Sequence, residues 1–275
     1  MTESAPLAAQ RREVILDTVR RKGAVRVAAL VEQLGVSDMT IRRDLDVLAR
    51  AGSVEKVHGG AVSTSGTSGT SGTTCDEPGF ETKSTLKSAA KAAVAEAVTQ
   101  LIQPGSVVAI SGGTTTYAVA HRLRDIANLT VVTNSLPVAE LLRSFGTEDG
   151  SAAPTLLVTG GAPTKSASLV GPLADQAIRS LQVDLVIVGA HGVSERAGVT
   201  TPNLAEAETN RTLISAASRL AVVADHSKWG VVGLSRFADL SEIDYFVSDD
   251  GLAEQARTVL GEQVGRLILA ETQGT

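Results

Sequence analysis

Two groups of residues in this 275-residue chain have types and spacings suited to chemistry. The first is the run Ser37-Asp-Met-Thr-Ile-Arg-Arg43, where Ser37, Met39, Thr40, Arg42 and Arg43 place two guanidinium groups, two hydroxyls and a thioether within two turns. An arginine fork fits the paired acceptors of a guanine edge, and threonine reaches a phosphate oxygen or a thymine methyl, so these types suit duplex DNA. The second group is a series of Gly-rich and hydroxyl-rich segments, each placed directly after an apolar run. They are Ser111-Gly112-Gly113-Thr114-Thr115, Thr133-Asn134-Ser135, Gly160-Gly161, Gly189-Ala-His191-Gly192 and Asp225-His-Ser-Lys228. A strand, a glycine turn and a helix start expose N–H groups to an anion, and phosphate is the natural guest. Lys228 adds a point charge for the same guest. The Gly-Gly-Thr-Thr stretch has neither the lysine of a Walker loop nor the spacing of a dinucleotide fingerprint, so nucleotide cofactors are not expected.

Positioning these residues requires particular elements. Around the arginines, three helical patterns are legible: Arg11–Lys22 with Ile15 and Val19, Val27–Leu34 with Leu30, Val31 and Leu34, and a third opening at the N-cap Ser37 with Ile41, Leu45 and Leu48 on one face. The 100° step per residue then puts Met39 and Arg43 opposite that face and Thr40 and Arg42 on its flanks. Residues 53–62 alternate as a short β-hairpin, in which Lys56 and His58 are candidates for backbone phosphate or minor-groove contact. Three helices and a hairpin make a winged helix-turn-helix, whose third helix enters the major groove. The competing reading of Arg42 and Arg43 is a solvated surface pairing with Asp46 or Glu55.

A Ser/Thr/Gly run over 63–79 carries no aliphatic anchor and reads as a flexible linker. It separates a DNA-binding domain over 8–62 from a second domain over 80–275. There, apolar runs at Val107–Ile110, Thr130–Val132, Thr155–Val158, Asp184–Val188, Leu220–Ala224, Tyr245–Val247 and Leu267–Leu269 alternate with helical patterns around Leu86–Leu101, Thr115–Leu123, Pro137–Leu142, Leu173–Leu181 and Ala205–Ala217. The fold class is therefore α/β with a mainly parallel sheet. Such sheets bind ligands at the carboxyl ends of their strands, where the polar segments converge.

Composition narrows the class. Residues 1–62 carry 10 Lys+Arg against 8 Asp+Glu, a net of +2, whereas residues 63–275 carry 15 against 22, a net of −7. What attraction to phosphate backbone exists is concentrated in the first segment. The single Cys75 makes no internal disulfide and no Cys/His spacing suggests a metal site, which favours a reduced, cytoplasmic protein. No leader or membrane-length apolar run is read, so no membrane partner is expected.

The segment Val36-Ser-Asp-Met-Thr-Ile-Arg-Arg-Asp-Leu45, with Gly52 and His58-Gly-Gly-Ala61 behind it, resembles the N-terminal signature of DeoR-type (DeoR/GlpR) transcription regulators. The strand-end segments, together with Leu169-Val-Gly-Pro172 and Thr200-Thr-Pro202 followed by Glu206–Arg211, are similar to the C-terminal sensor domain of that family. The resemblance implies a fold like ribose-5-phosphate isomerases and CoA transferases, and a sensor for a phosphorylated sugar or related metabolite. It further implies a homo-oligomeric repressor of carbohydrate-catabolism genes, released from a double-stranded operator when its effector binds.

The family usually has acidic residues where Ser111 and His191 stand and often Lys where Asn210 stands. Carboxylates at the first two places would grip sugar hydroxyls or move protons, so their loss disfavours the alternative of an isomerase or transferase with an accessory helix-turn-helix. Glu206 or Glu208 is the substitute that alternative would need, and Glu206 is also a candidate ligand contact. A third reading keeps the second domain only as an oligomerisation module.

Overall fold

The computed structural model of the chain describes residues 8–22, 24–50, 53–57, 60–63, 80, 84, 86–148 and 153–272. Backbone packing divides the chain into two units, Met1–Thr70 and Ser71–Thr275. Cys75, His58 and positions 64–79 of the expected linker lie outside the described residues.

The first unit runs α1 (Ala8–Lys22), β1 (Ala24–Arg26), α2 (Val27–Leu34), α3 (Asp38–Arg50), β2 (Val54–Val57) and β3 (Gly60–Ser63). Gly35 ends α2 in the left-handed conformation, φ 62°, and its N–H bonds back to the Val31 carbonyl. Ser37 then caps α3, its Oγ accepting from the Thr40 N–H at 3.3 Å. Ile41, Leu45 and Leu48 are buried, as are Ile15, Val19 and Leu30, where α3 packs on α1, α2 and β2. Each such side chain contributes about 1.5–3 kcal/mol on burial. The hairpin proves to be an antiparallel sheet of three strands, β1-β3-β2. Three residues between two helices are too few to show a strand period, which is why β1 is not predicted. Ser63 pairs with Val54, so the wing takes the first residue assigned to the linker.

In the second unit, the central sheet has seven parallel strands in the order β15-β14-β12-β9-β4-β5-β6. They are β4 (Val107–Ile110), β5 (Thr130–Thr133), β6 (Thr155–Val158), β9 (Leu185–Gly189), β12 (Leu220–Val223), β14 (Tyr245–Asp249) and β15 (Arg266–Ala270). Helices cover both faces. On one face, Leu185, Ile187, Ala221 and Val223 pack with Val94 and Val98 of α4 (Ser88–Thr99), Val119 of α5 (Thr114–His121) and Leu142 of α6 (Leu136–Glu148). On the other face, Val186, Val188, Val222 and Phe246 pack with Ile178 of α7 (Pro172–Arg179), Leu213 of α8 (Leu204–Ser215) and Leu260 of α9 (Glu254–Gln263). Burial on both faces explains why the inner strands β4, β5, β9, β12 and β14 read as apolar runs, whereas the edge strands β6 and β15 are apolar but partly exposed.

Smaller elements escaped prediction. A hairpin of β7 (Ala162–Pro163) and β8 (Leu169–Val170) follows β6, and a three-stranded antiparallel sheet joins β10 (Gly192–Ser194), β11 (Gly198–Thr201) and β13 (Ser235–Ala238). These strands are two to four residues long and, unlike the equally short central strands, lack an extended apolar run, so neither alternation nor a buried-strand pattern stands out. The central strand order reverses between β4 and β9, so the crevice at their carboxyl ends is the topological switch point, where ligands bind in open α/β sheets.

Candidate functional site

On α3, Met39 is 77% exposed and Arg42 and Arg43 are exposed, while Thr40 is half-buried beside Ser37, hydroxyl to hydroxyl at 2.8 Å. Arg42 is paired along the helix with Asp38, Nε donating to Oδ1 at 2.5 Å. Asp38 one turn earlier lies on the same side of the helix, whereas Asp46, also one turn away, contributes only a weaker charge effect to Arg42. The Asp38 hydrogen bond and charge hold the Arg42 guanidinium pKa further above its usual value. Lys56 lies in β2 opposite Ala61.

Asp44 was not singled out in the sequence. It is buried beside Arg43, accepts from Arg11 Nε at 2.5 Å and lies 3.8 Å from Arg12 Nε. An aspartate one step beyond the exposed arginines turns inward and ties α1 to α3. The helical step of 100° was the available signal, since Ile41 and Asp44 are three residues apart and share a face.

In the second unit, the loops after β4, β5 and β9 are braced to one another. Ser111 is buried, and its Oγ accepts from the Gly189 N–H at 3.2 Å, joining the two strands of the switch point. Asn134 Oδ1 accepts from Gly112 N–H at 3.1 Å, and Asn134 Nδ2 donates to the Leu169 carbonyl at 3.0 Å. Thr133 Oγ1 donates to the Ile110 carbonyl at 2.7 Å and accepts from Ser135 N–H at 3.0 Å. Ser135 Oγ accepts from Val138 N–H at 3.4 Å, capping α6. Thus Ser111, Thr133, Asn134 and Ser135, expected as ligand contacts, sit inside as braces that hold the loops in place.

Gly112, Gly113 and Thr114 are half-exposed at the start of α5 and Thr115 is buried. A Cβ at Gly112 would fall on the Ser168 side chain, so only glycine lets the β7–β8 hairpin pass over the end of β4. Gly160 and Gly161 have φ of 73° and 118°, turning the chain from β6 into that hairpin. His191 is half-buried, its N–H donating to the Thr200 carbonyl at 3.2 Å, and Lys228 is half-exposed in a single 3₁₀ turn after β12.

Glu206 is held in the first turn of α8, where Asn203 Oδ1 caps the helix by accepting from Ala205 and Glu206 N–H. Its carboxylate is buried and accepts from Thr164 Oγ1 at 2.6 Å, from Ser166 Oγ and from Thr201 Oγ1 at 3.2 Å. Glu208 is exposed and paired with Arg211 at 3.0 Å. Sequence reasoning named Glu206 but missed the hydroxyls around it. The run Thr164-Lys-Ser-Ala-Ser168 was a visible signal, but its contact lies about 40 positions away.

A second feature missed in the sequence is the pair His226–Asp249 at the carboxyl ends of β12 and β14. Nδ1 of His226 lies 2.6 Å from Oδ2 of buried Asp249. The hydrogen bond to Asp249 raises the His226 pKa above its ordinary value, against the opposing effect of burial. Burial works to raise Asp249, but hydrogen bonds from the His226 side chain and backbone outweigh it and hold the carboxyl below its usual range. Among the described residues no cluster of His, Cys, Asp or Glu is arranged to hold a metal, and no helix is long and apolar enough to cross a membrane.

The DeoR-like helix-turn-helix domain matches residues 11–67, and the DeoR C terminal sensor domain matches residues 86–250. The HTH-type transcriptional regulator YgbI of Escherichia coli (strain K12) is 36% identical over 265 residues, covering 96% of this chain and 98% of that protein. The transcriptional repressor AccR of Agrobacterium fabrum is 33% identical over 252 residues, covering 90% of this chain and 92% of that protein. The glycerol-3-phosphate regulon repressor of Escherichia coli (strain K12) is 31% identical over 240 residues, covering 87% and 90%. Among solved structures, ribose 5-phosphate isomerase A from Methanocaldococcus jannaschii aligns with TM-score 0.37 and 17% identity over 50% of this chain and 53% of that one, a likeness too low to bear on activity. With both domains matched in order and relatives above 30% identity across nearly the whole length, the chain belongs to the DeoR family of helix-turn-helix transcriptional regulators.

Proposed function

We propose that this chain is a sequence-specific repressor whose hold on its operator is released by a small phosphorylated metabolite of carbohydrate catabolism. One observation carries the DNA half: α3 buries Ile41, Leu45 and Leu48 while Met39, Arg42 and Arg43 stay exposed on its outer faces. Arg42 and Arg43 read guanine edges, Met39 packs on a base, and Ser37, Thr40, Lys56 and His58 position the unit on phosphates. The chain acts in the cytoplasm as a homo-oligomer, because paired units read two half-sites.

The effector half is supported by the braced crevice between β4 and β9. The first turn of α5, with Gly112, Gly113, Thr114 and Thr115, takes the phosphate on its N–H groups, and Lys228 and His191 lie on loops at the same strand ends. Gly160 and Gly161 shape the rim, while the buried Ser111, Thr133, Asn134 and Ser135 set its geometry. We read the chain as a regulator and not an enzyme. Ser111 and His191, on the loops after β4 and β9, supply no carboxylate for proton transfer.

Gel-shift titration against the DNA upstream of the chain's own gene tests this. Wild type forms a discrete complex, R42A/R43A weakens it by at least about tenfold, and one or more sugar phosphates release it. Binding that is indifferent to DNA sequence, or unchanged in R42A/R43A, defeats the proposal.

A further inference from the structure

The Glu206 carboxylate is gripped by the chain's own hydroxyls in a way that imitates a ligand. Two donors, Thr164 Oγ1 and Ser166 Oγ, share Oε1 and lie 2.9 Å apart, the spacing at which adjacent hydroxyls of a sugar or polyol meet one carboxylate oxygen. Oε2 takes the third donor, Thr201. Thr164 and Ser166 sit on the turn between β7 and β8, in which Ala167 is held at φ 57°, a strained value for a residue with a Cβ. The same turn lays Ser168 on Gly112, in the loop after β4, and gives the Ala167 carbonyl to the Leu136 N–H at the start of α6. Glu206 is thereby wired to the switch-point crevice through a turn under strain.

We infer that Glu206 is the hydroxyl-recognising subsite of the effector crevice, taking adjacent hydroxyls of a sugar or polyol, and that Thr164 and Ser166 fill it while the effector is absent. This rests on the effector reading above and assigns that effector a chemical class. A carboxylate has only about four acceptor positions, so ligand hydroxyls compete with Thr164 and Ser166 for the same lone pairs. When they win, the turn lets go of Glu206 and its strain is relieved, and its contacts with Gly112 and with the start of α6 change together. Binding of a hydroxyl-bearing ligand is therefore coupled to movement of the loop that roofs the phosphate turn.

The test uses the full chain, titrated with ribitol, which has hydroxyls and no phosphate, and separately with inorganic phosphate. Ribitol binds T164V/S166A at least about tenfold more tightly than wild type, because two internal competitors are gone. E206Q abolishes measurable ribitol binding, and inorganic phosphate binds all three proteins alike. S166A alone gives a smaller gain in ribitol affinity and carries the test if the double variant does not unfold cooperatively on heating. Equal ribitol affinity in wild type, S166A and E206Q overturns the subsite. Gel shifts separate this inference from the function on which it rests. If ribitol follows the stated pattern while operator binding ignores every sugar phosphate, the subsite stands and effector control falls. Operator release by sugar phosphates with ribitol affinity unaffected by the variants gives the reverse.

Discussion

Replacing Asp44 with asparagine isolates the ion pair that joins α1 to the recognition helix. The carboxylate is buried, receives Arg11 Nε at 2.5 Å and has Arg12 Nε at 3.8 Å; the Arg11 side chain is itself only 11% exposed. A hydrogen bond between charged groups contributes about 1.5–3 kcal/mol, and breaking a buried pair costs about 3–5 kcal/mol when the remaining charge stays buried. Asparagine keeps the shape and one acceptor, and Arg11 retains a path to water, so a loss of about 2–3 kcal/mol follows. A unit of this size has roughly 3–8 kcal/mol in all, at 0.05–0.15 kcal/mol per residue, so the loss is a large share. With m near 1 kcal/mol/M, the urea midpoint of the first unit falls by about 2–3 M. The chain reports its two units separately, because its one tryptophan, Trp229, and both tyrosines, Tyr117 and Tyr245, belong to the second. Far-UV circular dichroism follows both units, and Trp229 fluorescence follows the second alone. D44N moves the early dichroism transition and leaves the fluorescence transition in place. A dichroism shift below about 0.5 kcal/mol, or equal movement of both signals, refutes the assignment of Asp44 as the tie between α1 and α3.

D38A frees Arg42 and removes a negative charge from the start of α3; the exposed i,i+4 pair is weak and easily given up, so operator affinity rises a few-fold at low salt and the gain shrinks as salt screens it, which gel shifts at two ionic strengths read. In G112A the new Cβ lies 2.9 Å from Ser168 Cβ and 3.3 Å from its Cα as well as upon Oγ, and stability drops by about 1–3 kcal/mol; S168G restores most of it, and a purely additive double-mutant cycle contradicts the clash. A167G gains about 0.5–1 kcal/mol in thermal unfolding, since relief of about 1–2 kcal/mol of left-handed strain exceeds glycine's added chain entropy of about 0.4–1 kcal/mol; a destabilised A167G counts against strain in the turn. For His226 the raised pKa sets the sign: its stabilisation is complete below about pH 6.5 and lost as pH rises through the folded-state value. Asp249, lowered, contributes above about pH 4 and loses that contribution as pH falls through its own folded value. Urea midpoints therefore decline from pH 6 upward more steeply in wild type than in H226Q, and parallel curves remove the pair from the stability of this unit.

The sequence by itself determined the winged helix, because Ile41, Leu45 and Leu48 recur at helical spacing and Ser37 and Gly35 punctuate it chemically, and these are local properties of the chain. It also determined the parallel sheet, since strands buried on both faces must be apolar throughout, and it located the loops that follow them. Its silence about β1, the β7–β8 hairpin and the β10-β11-β13 sheet follows from segments of two to four residues that carry no extended apolar run, whereas the equally short central strands are marked by theirs. Only the tertiary structure decided which polar residues at the strand ends are buried as braces and which stay open to solvent: Thr133, Asn134 and Ser135 are wholly buried, whereas Thr114 is half-exposed. The partners of Glu206, Asp44 and His226 were equally beyond reach. Thr164, Arg11 and Asp249 are 42, 33 and 23 positions away, and hydrogen bonds over such separations are chosen by how helices and strands pack, not by the residues next to them.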